Sequence, residues 1–180
     1  MVERRIFGRL GVAASLVMFC SVVPAAQAAA PVINQWQGLV MLQPESVMQQ
    51  RSPSADAVVD YLKRVQAASE QAVAALPATP SGGYLVLAVR PGGQARVWLD
   101  LEPALPLANA QALRAAVEAV RPFAATDGVL VFALGTTLWG GALLQRMPAP
   151  AQFKATADAA GHPLEIEALV DRLWPAAQPR

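Results

Sequence analysis

Apolar and polar positions change period several times along this chain, and each change marks an element. From Ser54 onward, Val58, Leu62, Val65, Ser69, Ala72 and Leu76 recur at spacings of four and three, which sets them on one face of a helix over about 55–76. Ser54 is a natural N-cap, because its hydroxyl can accept from a first-turn amide. The stripe thins where Ser69 and Ala72 replace large side chains, so this helix can lie close to a neighbour but buries little area itself. After the Pro- and Gly-rich PATPSGG at 77–83 the period changes. Tyr84 to Arg90 is almost unbroken apolar, and then Gln94, Arg96, Trp98 and Asp100 alternate with Ala95, Val97 and Leu99. A period of two means a strand with one face buried and the other wet.

Between those two strands stands Pro91-Gly92-Gly93, which invites comparison with a phosphate-binding loop. Such a loop needs a lysine followed by Ser or Thr at the start of a helix, whereas these glycines lead into a strand. Two strands flanking a short Gly-containing connection are a β-hairpin. SGG at 81–83 and WGG at 139–141 fail the same test.

Glu102 to Pro106 closes the second strand. Ala110 to Val120 reads as a helix with Asn109 as its cap and Leu113, Val117 and Val120 on one face, and Pro122 ends it. Val129 to Leu134 (VLVFAL) is the most apolar strand and hence the central one, with Gly135, Gly140 and Gly141 marking its frayed end. Residues 143–162 read as a loop or meander. Pro163 then opens a short C-terminal helix with Glu165 and Glu167 in its first turn and Ile166, Leu169, Val170 and Leu173 on one stripe. Upstream, Trp36 to Gln43 reads as a short strand and the polar segment from Pro44 to Ser54 as a loop.

The order is therefore strand, strand, helix, strand, preceded by a long helix and followed by a short one. The class is α+β: a small antiparallel sheet with helices on one face. The organisation expected is a leader over 1–28, an N-terminal strand and loop over 29–53, and a single domain over 54–180 whose sheet spans about 82–141. Strand, Gly92-containing turn, strand, a helix ending at Arg121-Pro122-Phe123 and an apolar strand also resembles, over about a third of the chain, the element order of the carboxy-terminal domains of the TonB and TolA envelope proteins. The long Pro-rich linker of that family is lacking. The resemblance implies protein interaction in the cell envelope.

The amino terminus points to the same place. Glu3, Arg4, Arg5 and Arg9 make a short basic leader, an apolar run follows from Val12 to Val23, and Ala26-Gln27-Ala28 forms a small-residue cleavage site. This is the three-part build of a secretory signal peptide, with cleavage expected after Ala28 and a periplasmic address. Phe19 before Cys20 argues against lipidation, and the run is too short before Pro24 for a stable membrane anchor. Removing the leader shifts the formal net charge from +1 to near −1, so no nucleic-acid partner is implied. Cys20 is the only cysteine and leaves with the leader, taking with it any disulfide, thiolate nucleophile or zinc-thiolate site.

Candidate chemistry is sparse. His162 is the only histidine, so any Ser-His-Asp arrangement has to be built around it, and no G-x-S-x-G elbow accompanies it. Asp158, His162, Glu165 and Glu167 cluster in sequence but lack zinc or calcium spacing, and the acids suit a helix start. Asp100 and Glu102 lie two apart on one strand, where both are solvated, unlike a glycosidase pair facing across a cleft. Trp98 shares a hairpin face with Arg96, and Trp and Arg are over-represented among interface anchors; Trp139 is a second such candidate. Alternatively, Trp98 is covered by the long or the C-terminal helix.

The reading is a small exported, non-enzymatic protein, without cofactor or metal, that binds another envelope protein through the hairpin face around Arg96 and Trp98 or through a helix. The alternative is a small-ligand binder or hydrolase with a pocket near Trp98, Trp139 and His162.

Overall fold

The computed structural model describes residues 34–176; the expected leader over 1–28 lies outside the described residues. Four strands, β1 (Asn34–Met41), β2 (Ser81–Arg90), β3 (Gln94–Glu102) and β4 (Leu130–Leu138), form one antiparallel sheet in the order β1-β4-β2-β3. Among the described residues five helices accompany it: α1 (Glu45–Arg51), α2 (Ala55–Ala74), α3 (Leu107–Glu118), α4 (Ala151–Ala160) and α5 (Ile166–Leu173). The class is α+β, and strand, strand, helix, strand recurs as β2-β3-α3-β4. Because β1 pairs with β4, the residues on either side of Ser54 share one sheet.

Helices cover both faces of that sheet, not one. On the first face Leu85, Leu87, Val89, Val97, Phe132 and Leu134 pack with Tyr61, Leu62 and Val65 of α2 and Leu113 and Val117 of α3. On the second, Val86, Ala88, Trp98, Val131 and Ala133 pack with Phe153 of α4 and Leu169 and Val170 of α5. The reason is in the two central strands. Every residue of β2 and β4 is buried, and an unbroken apolar strand needs cover on both sides, whereas an alternating one does not.

Local signals behaved as their chemistry requires. The Ser54 hydroxyl accepts from the Ala57 amide at 3.1 Å and caps α2. The hairpin pairs Arg90 with Gln94 across Pro91-Gly92-Gly93. Other expectations shift. α3 starts at Leu107 after Pro106, which leaves Asn109 inside the helix and buried. α5 starts at Ile166, so Pro163 precedes it. β4 runs straight through Gly135 to Leu138. Two helices lie where loops were expected: α1 follows Pro44, and α4 follows Pro150. Each brings one buried large side chain, Met48 and Phe153, too little to write a periodic stripe.

The two Gly-Gly pairs that fail as phosphate loops have a packing role. A Cβ on Gly82 would stand 2.0 Å from the Ala142 carbonyl oxygen, and one on Gly141 would stand 2.2 Å from that of Ser81. The chain leaving β4 crosses the start of β2 backbone to backbone, at a distance only glycine allows.

Candidate functional site

The two edges of the sheet differ. β3 carries Arg96, Asp100 and Glu102, and the outward amide of Val97 donates to the Glu118 carboxylate at the end of α3 (3.2 Å). Charges and a capped amide make this edge a poor template for another strand. β1, NQWQGLVM, has no charged residue along its length. Beyond it the Gln43 side chain continues the ladder, donating to the Val129 carbonyl and accepting from the Val131 amide. A register irregularity between Trp36 and Gly38 bends the strand, and the Trp36 indole donates to Glu70 on α2 (2.9 Å).

Leu39 and Met41 pair with Leu134 and Phe132, so they lie on the α2 face of the sheet. They stand at its margin, on an edge strand, and are 41% and 40% exposed. Between β1, α1 and the first turns of α2 is a groove of about 460 Å³ with Met48, Val58 and Leu62 in its walls and Leu39, Met41 and Val59 at its rim. Three of the five exposed large hydrophobic side chains among the described residues therefore border one groove beside one open edge. Arg51 secures the α1 wall by donating to the Val129 carbonyl and to Glu167 of α5, both at 2.9 Å.

The hairpin face has a different fate. Arg96, Trp98 and Asp100 do share a face, as the alternation requires, but α4 and α5 lie over it. Trp98 is 4% exposed and meets the Phe153 ring edge-on, centroids 5.0 Å apart. Asp100, expected to be solvated, is buried and accepts from both terminal nitrogens of Arg146 and from the Ala149 amide, each at 2.7 Å. That hydrogen bonding holds the Arg146 guanidinium pKa above its ordinary value. Arg96 stays exposed near the hairpin tip. Above this ion pair a second groove of about 660 Å³ runs between α4 and α5, bordered by Arg146, Lys154, Phe153, Ile166 and Leu169.

Trp98, Trp139 and His162 are not brought together. Trp139 belongs to the α2 face, opposite to Trp98, and sits at the end of β4 with a φ of 47°. His162 is exposed beyond the left-handed Gly161 that ends α4, with Nδ1 3.0 Å from the Pro163 carbonyl oxygen. Glu167 is turned towards Arg51, and no group of three potential metal-ligating side chains occurs among the described residues.

Neither a family model, nor a curated protein, nor a solved structure matches the chain. The likeness in element order to the TonB and TolA domains thus carries no family assignment. Among the described residues no helix is long and apolar enough to cross a membrane. The open edge and its groove were missed in the sequence because Leu39 and Met41 look like ordinary core positions; the absence of charge from 34 to 43 was the available signal.

Proposed function

We propose that this is an exported, non-enzymatic module of the cell envelope that acts by binding another envelope protein at the free edge of β1. One observation carries the reading: an uncharged edge strand beside an apolar groove, opposite an edge that is charged and capped. An extended segment laid along β1 would satisfy its outward backbone groups and drop alternate side chains over the groove, the mode known as strand addition. The signal-like leader supplies the address; protein recovered from the periplasm should have an intact mass beginning at Ala29. The binding test is a crosslinked pull-down from cell envelopes with tagged wild type beside Leu39→Glu/Met41→Glu. A stoichiometric partner absent from the variant supports the reading, and capture that is unchanged overturns it.

A second reading rests on the groove between α4 and α5. Its apolar walls and the Lys154 ammonium at its border, with Arg146 already paired to Asp100, suit a small anion with an apolar body, and its volume lies within the range of small-molecule sites. Titration with dodecanoate, with the trimethylammonium of the same chain length as control, tests it. Binding of the anion alone favours this reading.

A further inference from the structure

We propose that residues 145–174, which carry α4 and α5, form a strap that opens from the sheet as one unit, held down by three ion pairs and loosened by ionic strength.

The placement of charge is the first observation. Among the described residues four ion pairs occur, and three of them tie this segment to the rest of the fold: Arg146 to Asp100 of β3, Asp171 to Arg90 of β2, and Glu167 to Arg51 of α1. The fourth, Lys63 with Asp60, lies within α2. Two of the three are lopsided. The Asp100 and Arg90 side chains are each 7% exposed, whereas their partners Arg146 and Asp171 are 44% and 58% exposed. The strap itself supplies the cover: the Ala149 amide donates to Asp100, and the Trp174 ring lies against the Arg90 guanidinium, 4.3 Å from its centroid. A covered charge needs its counter-charge only while it is covered. Raising the strap returns Asp100 and Arg90 to water, so the open state strands no buried charge, and the exposed partners leave the pairs open to screening by salt.

Packing is the second observation. Of α4 and α5 only Phe153, Leu169 and Val170 are buried, whereas α2 alone buries Val58, Tyr61, Leu62, Val65 and Val73 on the other face. A segment with few buried apolar side chains opens at a lower cost than the core it covers. The hinge is also defined. No helix or strand spans 139–150, and the fixed part of that stretch ends where Tyr84 donates to the Leu144 carbonyl at 3.1 Å, just before Arg146. Opening there bares Val86, Ala88, Trp98, Val131 and Ala133, which keeps the open state rare, and leaves the α2 and α3 face intact.

The test is native-state amide hydrogen exchange read by mass spectrometry on the full chain. The expected result is that α4 and α5 exchange together, faster than β2 and β4 and with a shallower dependence on urea. Raising sodium chloride from about 0.05 to 1 M should speed α4 and α5 about three- to thirtyfold. Glu167→Gln/Asp171→Asn should speed them about tenfold or more at low salt, whereas Asp60→Asn, which breaks the pair within α2, should not. Exchange of α4 and α5 at the rate and urea slope of β4 overturns the inference, because the segment then opens only with the whole fold. A separate opening indifferent to salt in the wild type overturns it too, whether or not the variant folds.

Discussion

Replacing Trp98 by alanine removes the largest side chain between the hairpin and α4. An aromatic of this kind buries roughly 150–250 Å², which at about 25 cal/mol per Å² is roughly 4–6 kcal/mol, an upper figure because the unfolded chain already hides part of that area. Trp98 is 4% exposed, so nearly all of this applies. Measured large-to-small core substitutions of aromatics cost about 3–5 kcal/mol, and that is the loss expected here. For a domain of this size it corresponds to a fall in Tm of roughly 6–20 °C. Urea unfolding followed by far-UV circular dichroism is the assay, since fluorescence would change with the tryptophan itself. Phe153→Ala, singly and combined, should show a coupling of about 0.5–1.5 kcal/mol for the edge-on ring pair. Arg96→Ala, on the same strand face but exposed, should stay within about 0.5 kcal/mol of wild type. A Trp98→Ala loss below about 1 kcal/mol would refute the placement of α4 over the hairpin.

Gly141→Ala should destabilise in the upper part of the usual range of about 0.5–3 kcal/mol, because its Cβ would meet the Ser81 backbone and backbone cannot step aside; thermal melts that match wild type would contradict the crossing. Asp100→Ala should cost about 1.5–3 kcal/mol in urea, since it removes the acceptor of the Ala149 amide and of a guanidinium that is itself 44% exposed and can turn to water. Burial pushes the Tyr61 phenol well above the ordinary tyrosine value of 10.0. Above that value the unfolded chain releases a proton that the folded protein keeps, so stability falls as pH rises past about 10, and Tyr61→Phe should flatten the slope. At neutral pH Tyr61→Phe should be neutral or stabilising, because the hydroxyl is buried without a hydrogen-bond partner among the described residues.

Where a residue's role depends on its near neighbours in the chain, it was legible without a fold. The Ser54 cap, the four-and-three spacing of α2, the hairpin at Gly92-Gly93 and the division of β3 into two faces are of this kind, and each appears in the structure. The class followed from them. The unbroken apolar runs of β2 and β4 also carried the message that both faces need cover, although nothing local says by what.

What covers each face was decided only in three dimensions. Alternation sets Trp98 and Asp100 on one side of the hairpin; whether that side meets water depends on α4, some fifty residues later, which is half alanine with a single large anchor in Phe153. The glycines at 82 and 141 are separated in sequence by β3, α3 and β4, and only the crossing of their segments explains both. The open edge is the clearest case. A strand is an edge or a centre according to the order in which strands assemble, and NQWQGLVM reads the same in either place. The order β1-β4-β2-β3 leaves this uncharged strand at one edge and the charged, capped one at the other, and thereby leaves Leu39 and Met41 exposed at the sheet margin.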